Sequence, residues 1–100
     1  FVGLLREYAT REHAVSFYAD RMCISPRYLY EVTVECQGGR TPKQLIDEQR
    51  LAEVKVLLSD PHLSVTEIAE QLGFADQSYL TRFFRRHTGM SPKAFRAGIR

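Results

Sequence analysis

An apolar stripe with the i, i+3, i+4, i+7 spacing of one helix face occurs twice in this chain, fifty residues apart. The first copy is Val15, Tyr18, Ala19 and Met22; the second is Val65, Ile68, Ala69 and Leu72. The same landmarks follow each stripe. Tyr28-Leu29 and Tyr79-Leu80 give an aromatic–leucine pair, and Val32-Thr33 and Phe83-Phe84 a bulky pair. Then come a glycine (Gly38, Gly89) and a hydroxyl–proline step (Thr41-Pro42, Ser91-Pro92). This repeat predicts two copies of one helix-turn-helix unit. Two such units in one short chain suit two contacts with a single DNA duplex, so DNA binding is the leading expectation.

One hundred residues, 44% hydrophobic and 26% charged, make one small domain or two very small lobes that share a helix. No apolar run approaches the roughly 20 residues of a membrane span, and no signal peptide is visible. Because the first residue is Phe1, the chain reads as a fragment of a longer polypeptide. The formal charge of +2 argues only weakly for nucleic acid, but its distribution says more. Residues 65–100 carry six basic side chains (Arg82, Arg85, Arg86, Lys93, Arg96, Arg100) against three acidic ones (Glu67, Glu70, Asp76), a net of +3. Residues 14–38 carry two (Arg21, Arg27) against three (Asp20, Glu31, Glu35), a net of −1. The second copy should therefore dominate attraction to phosphates. The competing explanation is an ordinary solvated surface. Cys23 and Cys36 show neither metal-ligand nor disulfide spacing and are expected to be buried or half-buried small hydrophobes in a reducing compartment.

Helix signals run throughout. Ser25-Pro26, Thr41-Pro42 and Ser91-Pro92 place an N-cap hydroxyl before a proline that has no N–H to leave unpaired. Ser64 and Glu67 read as a capping box, and Asp76 as a further cap. Gly38 and Gly89 stand where left-handed stops are expected, and Asp60-Pro61 ends the longest helix. These signals predict an all-α fold of seven helices at about 1–9, 14–22, 26–37, 42–58, 65–72, 76–87 and 92–98. Two three-helix lobes, 1–41 and 62–100, would be joined by a long linker helix, 42–58. Leu45, Ile46, Ala52, Val54, Val56, Leu57 and Leu58 place apolar side chains on more than one face of that linker. At ~1.5 Å per residue it would span roughly 25 Å, a rigid strut holding the reading helices about one DNA turn, ~34 Å, apart.

A recognition helix turns its N-terminal half toward base edges in the major groove. In the second copy, Leu80, Phe83 and Phe84 are expected to face inward, and Gln77, Ser78, Thr81 and Arg82 outward. Arginine suits guanine O6/N7, glutamine adenine N6/N7, and serine or threonine either. Arg85, Arg86 and Lys93 are better placed for phosphates, and Lys43 joins them as a phosphate candidate at the start of the linker. In the first copy, Leu29 and Val32 are expected inward and Arg27, Tyr30 and Glu31 outward, with Tyr30 the most exposed aromatic. Glu31 can accept from cytosine N4 but repels phosphates.

The run Ser64-Val65-x-x-Ile68-Ala69-x-x-Leu72-Gly73-Phe74-x-Asp76-Gln77-Ser78-Tyr79-x-x-Arg82-x-Phe84, continued by Gly89-Met90-Ser91-Pro92-x-x-Phe95-Arg96, resembles the signature of AraC-type transcription regulators. Arg50-Leu51 and Val54-Lys55-x-Leu57-Leu58 resemble that family's linker helix, and Ile24-Ser25-Pro26-x-Tyr28-Leu29 its first motif. The resemblance covers about residues 14–97. It implies two helix-turn-helix lobes on one helix, and transcription regulation, mostly activation, in the bacterial cytoplasm at the nucleoid. It also implies RNA polymerase as a partner and a sensor or dimerisation region elsewhere in the polypeptide. Base-contacting positions carried over by the resemblance are Arg27, Tyr30 and Glu31, and Gln77, Ser78, Tyr79 and Arg82. Four departures stand out: Glu31, Val34-Glu35, the inserted Gly39, and Cys23 in place of a turn glycine. All lie in or beside the first lobe, which should therefore read fewer bases or bind weakly.

The competing class is a helical module that uses this fold to bind protein or to dimerise, favoured for the first lobe by Glu31 and Glu35. His13, His62 and His87 are scattered, and neither a His-x-x-x-His nor a Cys-x-x-Cys pair occurs, so no metal or other cofactor is expected. No nucleophile–base pattern suggests an enzyme, and nothing in the chain suggests membrane contact.

Overall fold

The computed structural model describes residues 1–9 and 11–98, apart from the side chain of Val2. Among these residues there are seven α-helices and no strand: α1 (Val2–Tyr8), α2 (Val15–Arg21), α3 (Pro26–Cys36), α4 (Pro42–Leu58), α5 (Val65–Gln71), α6 (Gln77–Thr88) and α7 (Pro92–Ala97). All seven expected helices are present, and their ends agree to within one residue.

Five of the helices start on the caps expected of them. The side chains of Ser25, Ser64, Asp76 and Ser91 accept from the backbone N–H three residues on, at 2.7–3.1 Å. Thr41 does the same for Gln44 at 3.1 Å, and the Gln44 amide oxygen accepts in return from the Thr41 N–H at 2.9 Å. The reciprocal capping box thus sits at α4. At α5, where a box was expected, Glu67 instead accepts from the Ser64 hydroxyl, at 3.2 Å. Pro42 and Pro92, at the first positions of α4 and α7, are fully buried.

The chain divides inside α4 into two compact units, Phe1–Arg50 and Leu51–Arg100. The core of the first gathers Leu5, Tyr18, Ala19, Leu29, Leu45 and Ile46. Phe1 and Phe17 meet the Tyr18 ring edge-on, and the Tyr18 hydroxyl donates to the Glu12 carbonyl at 2.8 Å. The core of the second gathers Val54, Leu58, Ile68, Ala69, Leu72, Phe74, Leu80, Phe83 and Phe84. The apolar residues of α4 are therefore shared out along its length more than around it. Leu45 and Ile46 serve one core and Val54 and Leu58 the other, while Ala52 and Val56, expected to pack, face solvent.

The two units repeat one turn. The Ile24 N–H donates to the Ala19 carbonyl at 3.0 Å, and the Phe74 N–H to the Ala69 carbonyl at 2.9 Å. Each bond closes around a left-handed residue, Cys23 at φ 58° and Gly73 at φ 75°. Side chains rarely adopt this conformation. It also turns Cys23 outward, and Cys36 lies on the uncovered side of α3, so both cysteines are exposed where burial was expected.

Val32 is a second correction. It was expected inward and is 37% exposed, while Thr33 beside it is buried. The matching site in the second unit shows why. There Phe74 and Phe83 lie 5.3 Å apart between ring centroids, and Phe83 and His87 4.6 Å. The corresponding Ile24, Val32 and Cys36 are too short to close the same space, and they line an apolar groove with Met22, Tyr28 and Phe1.

The left-handed turns make a paired prediction. Cys23→Gly removes the Cβ strain and should stabilise the first unit by roughly 0.5–1 kcal/mol after the added chain entropy of glycine. Gly73→Ala should destabilise the second unit by about 1 kcal/mol or more. Urea unfolding followed by circular dichroism measures both. A Cys23→Gly chain no more stable than the parent would show that the strain in the turn does not exceed the entropy cost of glycine.

Candidate nucleic-acid interface

At 3.6 residues per turn, α6 separates into two faces. Leu80, Phe83 and Phe84 are buried, and Ser78, Arg82, Arg85 and Arg86 lie on the opposite, exposed side. Tyr79 flanks that side and is exposed, and Gln77, in line with Leu80 and Phe84 at i, i+3, i+7, is exposed at the first position of the helix. Thr81, expected outward, is half-buried because it lies at the edge of the Leu80–Phe84 stripe. Tyr79, Arg82, Phe83 and Arg86 line a concavity on this surface. The N-terminus of α6 is held by Asp76, whose carboxylate accepts from the Tyr79 N–H at 2.7 Å. Gln77 is held from α5, where the Thr66 hydroxyl donates to Gln77 Oε1 at 2.8 Å.

The electrostatic character of this face is set by what its arginines lack. Among the described residues, no carboxylate lies within 4.0 Å of Arg82, Arg85 or Arg86. Arg85, Arg86 and His87 occupy the last turn of α6, where the helix dipole favours positive charge. That accounts for tolerance of the cluster at the helix end. It does not account for Arg82, which lies a turn earlier. Lys93 is exposed in the first turn of α7.

The matching helix of the first unit, α3, differs. Arg27 Nε lies 3.3 Å from Glu31 Oε1, a pair between two exposed side chains one turn apart. Two of the three residues expected to read bases there therefore neutralise each other. Tyr30, the third, is 51% exposed, and Tyr28, at 54%, slightly more so, contrary to expectation. Other cations of this unit are engaged as well. Lys43, the fourth phosphate candidate, sits 3.0 Å from Asp47, and Arg40 lies 3.2 Å from Glu48. Arg21 lies over the Tyr8 and Phe17 rings.

Two arginines have structural roles that the charge count hid. Arg96 donates to the carbonyls of Leu58 and Asp60 at 3.1 and 3.3 Å, satisfying backbone oxygens where α4 ends. It ties the end of α4 to α7 within the second unit, while its charge, half-exposed, is not neutralised by these carbonyls. Arg50 is buried on α4 with Asp47 4.0 Å away. Arg100, counted in the charge of the second lobe, lies outside the described residues. Among the described residues no group of three or more His, Cys, Asp or Glu side chains could hold a metal ion, and no helix is long and apolar enough to cross a membrane.

A family model described as a helix-turn-helix domain matches residues 18–98. The chain is 33% identical over 84 residues to the arabinose operon regulatory protein of Salmonella typhimurium, an alignment covering 84% of this chain and 30% of that protein. It is 38% identical over 80 residues to the HTH-type transcriptional activator RhaS of Escherichia fergusonii, covering 80% of this chain and 28% of that one. It thus spans about 30% of the length of these curated relatives. Among solved structures, the DNA-binding domain of AdpA, a global transcriptional factor in complex with a target DNA, superposes with a TM-score of 0.84 at 31% identity. That match covers 96% of this chain and 86% of that one. With the repeated turn, the caps and the exposed face of α6 already in place, these matches show that the chain belongs to the AraC-type helix-turn-helix family of DNA-binding domains.

Proposed function

We propose that the chain binds duplex DNA sequence-specifically to regulate transcription, most simply as an activator, with α6 as its principal reading helix. The observation that carries this reading is the exposed stripe of Arg82, Arg85 and Arg86, none paired with a carboxylate among the described residues. Unpaired arginines on a surface repel one another; a polyanion relieves that repulsion and releases its own counterions.

Base contacts are assigned to Gln77, Ser78, Tyr79 and Arg82, with Thr81 limited by its half-burial. Phosphate contacts are assigned to Arg85, Arg86 and Lys93. The first lobe adds a weaker contact about one turn, ~10 base pairs, away, through Tyr30, Arg27 and Glu31. For Arg27 to reach DNA it must leave Glu31, which costs little because an exposed pair at this spacing contributes only ~0.3–0.5 kcal/mol. Lys43 must likewise leave Asp47. Two of the relatives described above are named as an operon regulator and a transcriptional activator. That supports action in the bacterial cytoplasm on the nucleoid, RNA polymerase as the partner, and a sensor or dimerisation region outside this segment. The reading assigns the chain no reaction and no cofactor.

Arg82→Ala is expected to cost about 1–3 kcal/mol on a selected site and to relax one base-pair preference, the effect of losing a bidentate arginine–guanine contact. Equal losses on selected and random duplexes would instead make Arg82 a phosphate contact.

Salt dependence separates the lobes, because each phosphate contact contributes about 0.9 to the slope of log affinity against log salt. Arg85→Ala with Arg86→Ala should flatten the slope by up to about two units, and Arg27→Ala by no more than about one. Fluorescence anisotropy across a salt series reads both. A larger change from Arg27→Ala would make the first lobe the anchor.

Glu31→Gln removes a charge that repels phosphate and releases Arg27. It should raise affinity and steepen the same slope by up to about one unit. Weaker binding by this variant would mean that Glu31 itself accepts from a base, such as cytosine N4.

A further inference from the structure

Gln77 is the first residue of α6, and Thr66 lies in the first turn of α5. The Thr66 hydroxyl donates to Gln77 Oε1 at 2.8 Å, linking side chains eleven residues apart. Resting on the DNA-reading role of α6 given above, we propose that Thr66 is a positioning residue. It fixes how Gln77 presents its amide and so sets the preference of the second lobe for adenine at one base pair.

A glutamine on a helix surface has three soft torsions, and ordering it against a base sacrifices that freedom. A bidentate contact with adenine N6 and N7 also requires the amide to lie close to the plane of the base. Thr66 occupies one of the two acceptor sites on Oε1, leaving the other for adenine N6–H and an Nε2 hydrogen for N7. The free glutamine therefore already holds part of its bound geometry. Both side chains are exposed, so in water the link contributes little. Once DNA covers α6 and excludes water, an unpaired threonine hydroxyl beside the amide would be costly, and the link strengthens.

The first lobe has no equivalent. When Tyr28 is matched with Tyr79, Pro26 stands in the place of Gln77, and a proline carries no amide to position. Asp76 supplies the other fixed point, because its bond to the Tyr79 N–H anchors the backbone from which Gln77 projects.

The experiment selects duplexes from a randomised DNA library with the chain, Thr66→Val, Thr66→Ser, Gln77→Ala, and Thr66→Val combined with Gln77→Ala. In parallel, the mobility of the Gln77 side-chain amide is measured by NMR in the free chain and in Thr66→Val. Gln77→Ala and Thr66→Val are expected to lose preference at the same base pair, the latter by about 3- to 10-fold. Thr66→Ser should retain it, and the double variant should lose no more than Gln77→Ala alone. The Gln77 amide should be more mobile in Thr66→Val. The proposal is overturned if Thr66→Val leaves that preference intact, if it weakens all positions evenly, or if the Gln77 amide is equally mobile in both proteins. Failure of the parent chain to enrich any duplex would refute the DNA-reading role separately, and the amide measurement would still decide whether Thr66 holds Gln77.

Discussion

The direction of each reading helix depends on one backbone hydrogen bond and the left-handed residue it encloses. Ala19 accepts from Ile24 and Ala69 from Phe74 across turns of the same form. Ala19 and Ala69 are buried, and a methyl group there leaves room for the following helix to cross closely. A larger side chain at either position would push α3 or α6 off its course, and every outward residue on that helix would move with it. The caps at Ser25 and Asp76 then set where each helix begins.

Given that scaffold, the two lobes differ mainly in how they dispose of charge and volume. The second fills its core with Phe74, Phe83 and Phe84 and, among the described residues, leaves three arginines of α6 without carboxylate partners. The first has Ile24, Val32 and Cys36 along an apolar groove and pairs Arg27 with Glu31. A tighter core under the reading helix holds its outward side chains more firmly, and unpaired arginines favour a polyanion. Both differences support the proposal that the second lobe makes the stronger contact.

Local signals carried most of this into the sequence. Caps act within three residues, and the stripes repeat at helical spacing, so seven helices and the inward Leu29, Leu80 and Phe84 were legible. What was not legible depended on residues distant in the chain or on side-chain size. Whether Val32 is buried depends on Ile24 reaching it. Arg96 reads as surface charge until the carbonyls of Leu58 and Asp60 are placed beside it. The Thr66–Gln77 link spans eleven residues and follows no periodicity. The Arg27–Glu31 pair was visible in principle, because i, i+4 spacing places opposite charges together.

The proposed function makes α6, and not α3, the principal DNA-reading element. An NMR titration of the isotope-labelled chain with a selected duplex tests it most directly, through the backbone and arginine side-chain signals of both helices. The largest changes should fall on residues 77–86, including the guanidinium groups of Arg82, Arg85 and Arg86. Smaller changes on residues 27–31 should disappear first as salt is raised. Changes centred on α3, or on the groove lined by Ile24, Val32 and Cys36, with α6 unaffected, would mean that α6 is not the principal reading helix.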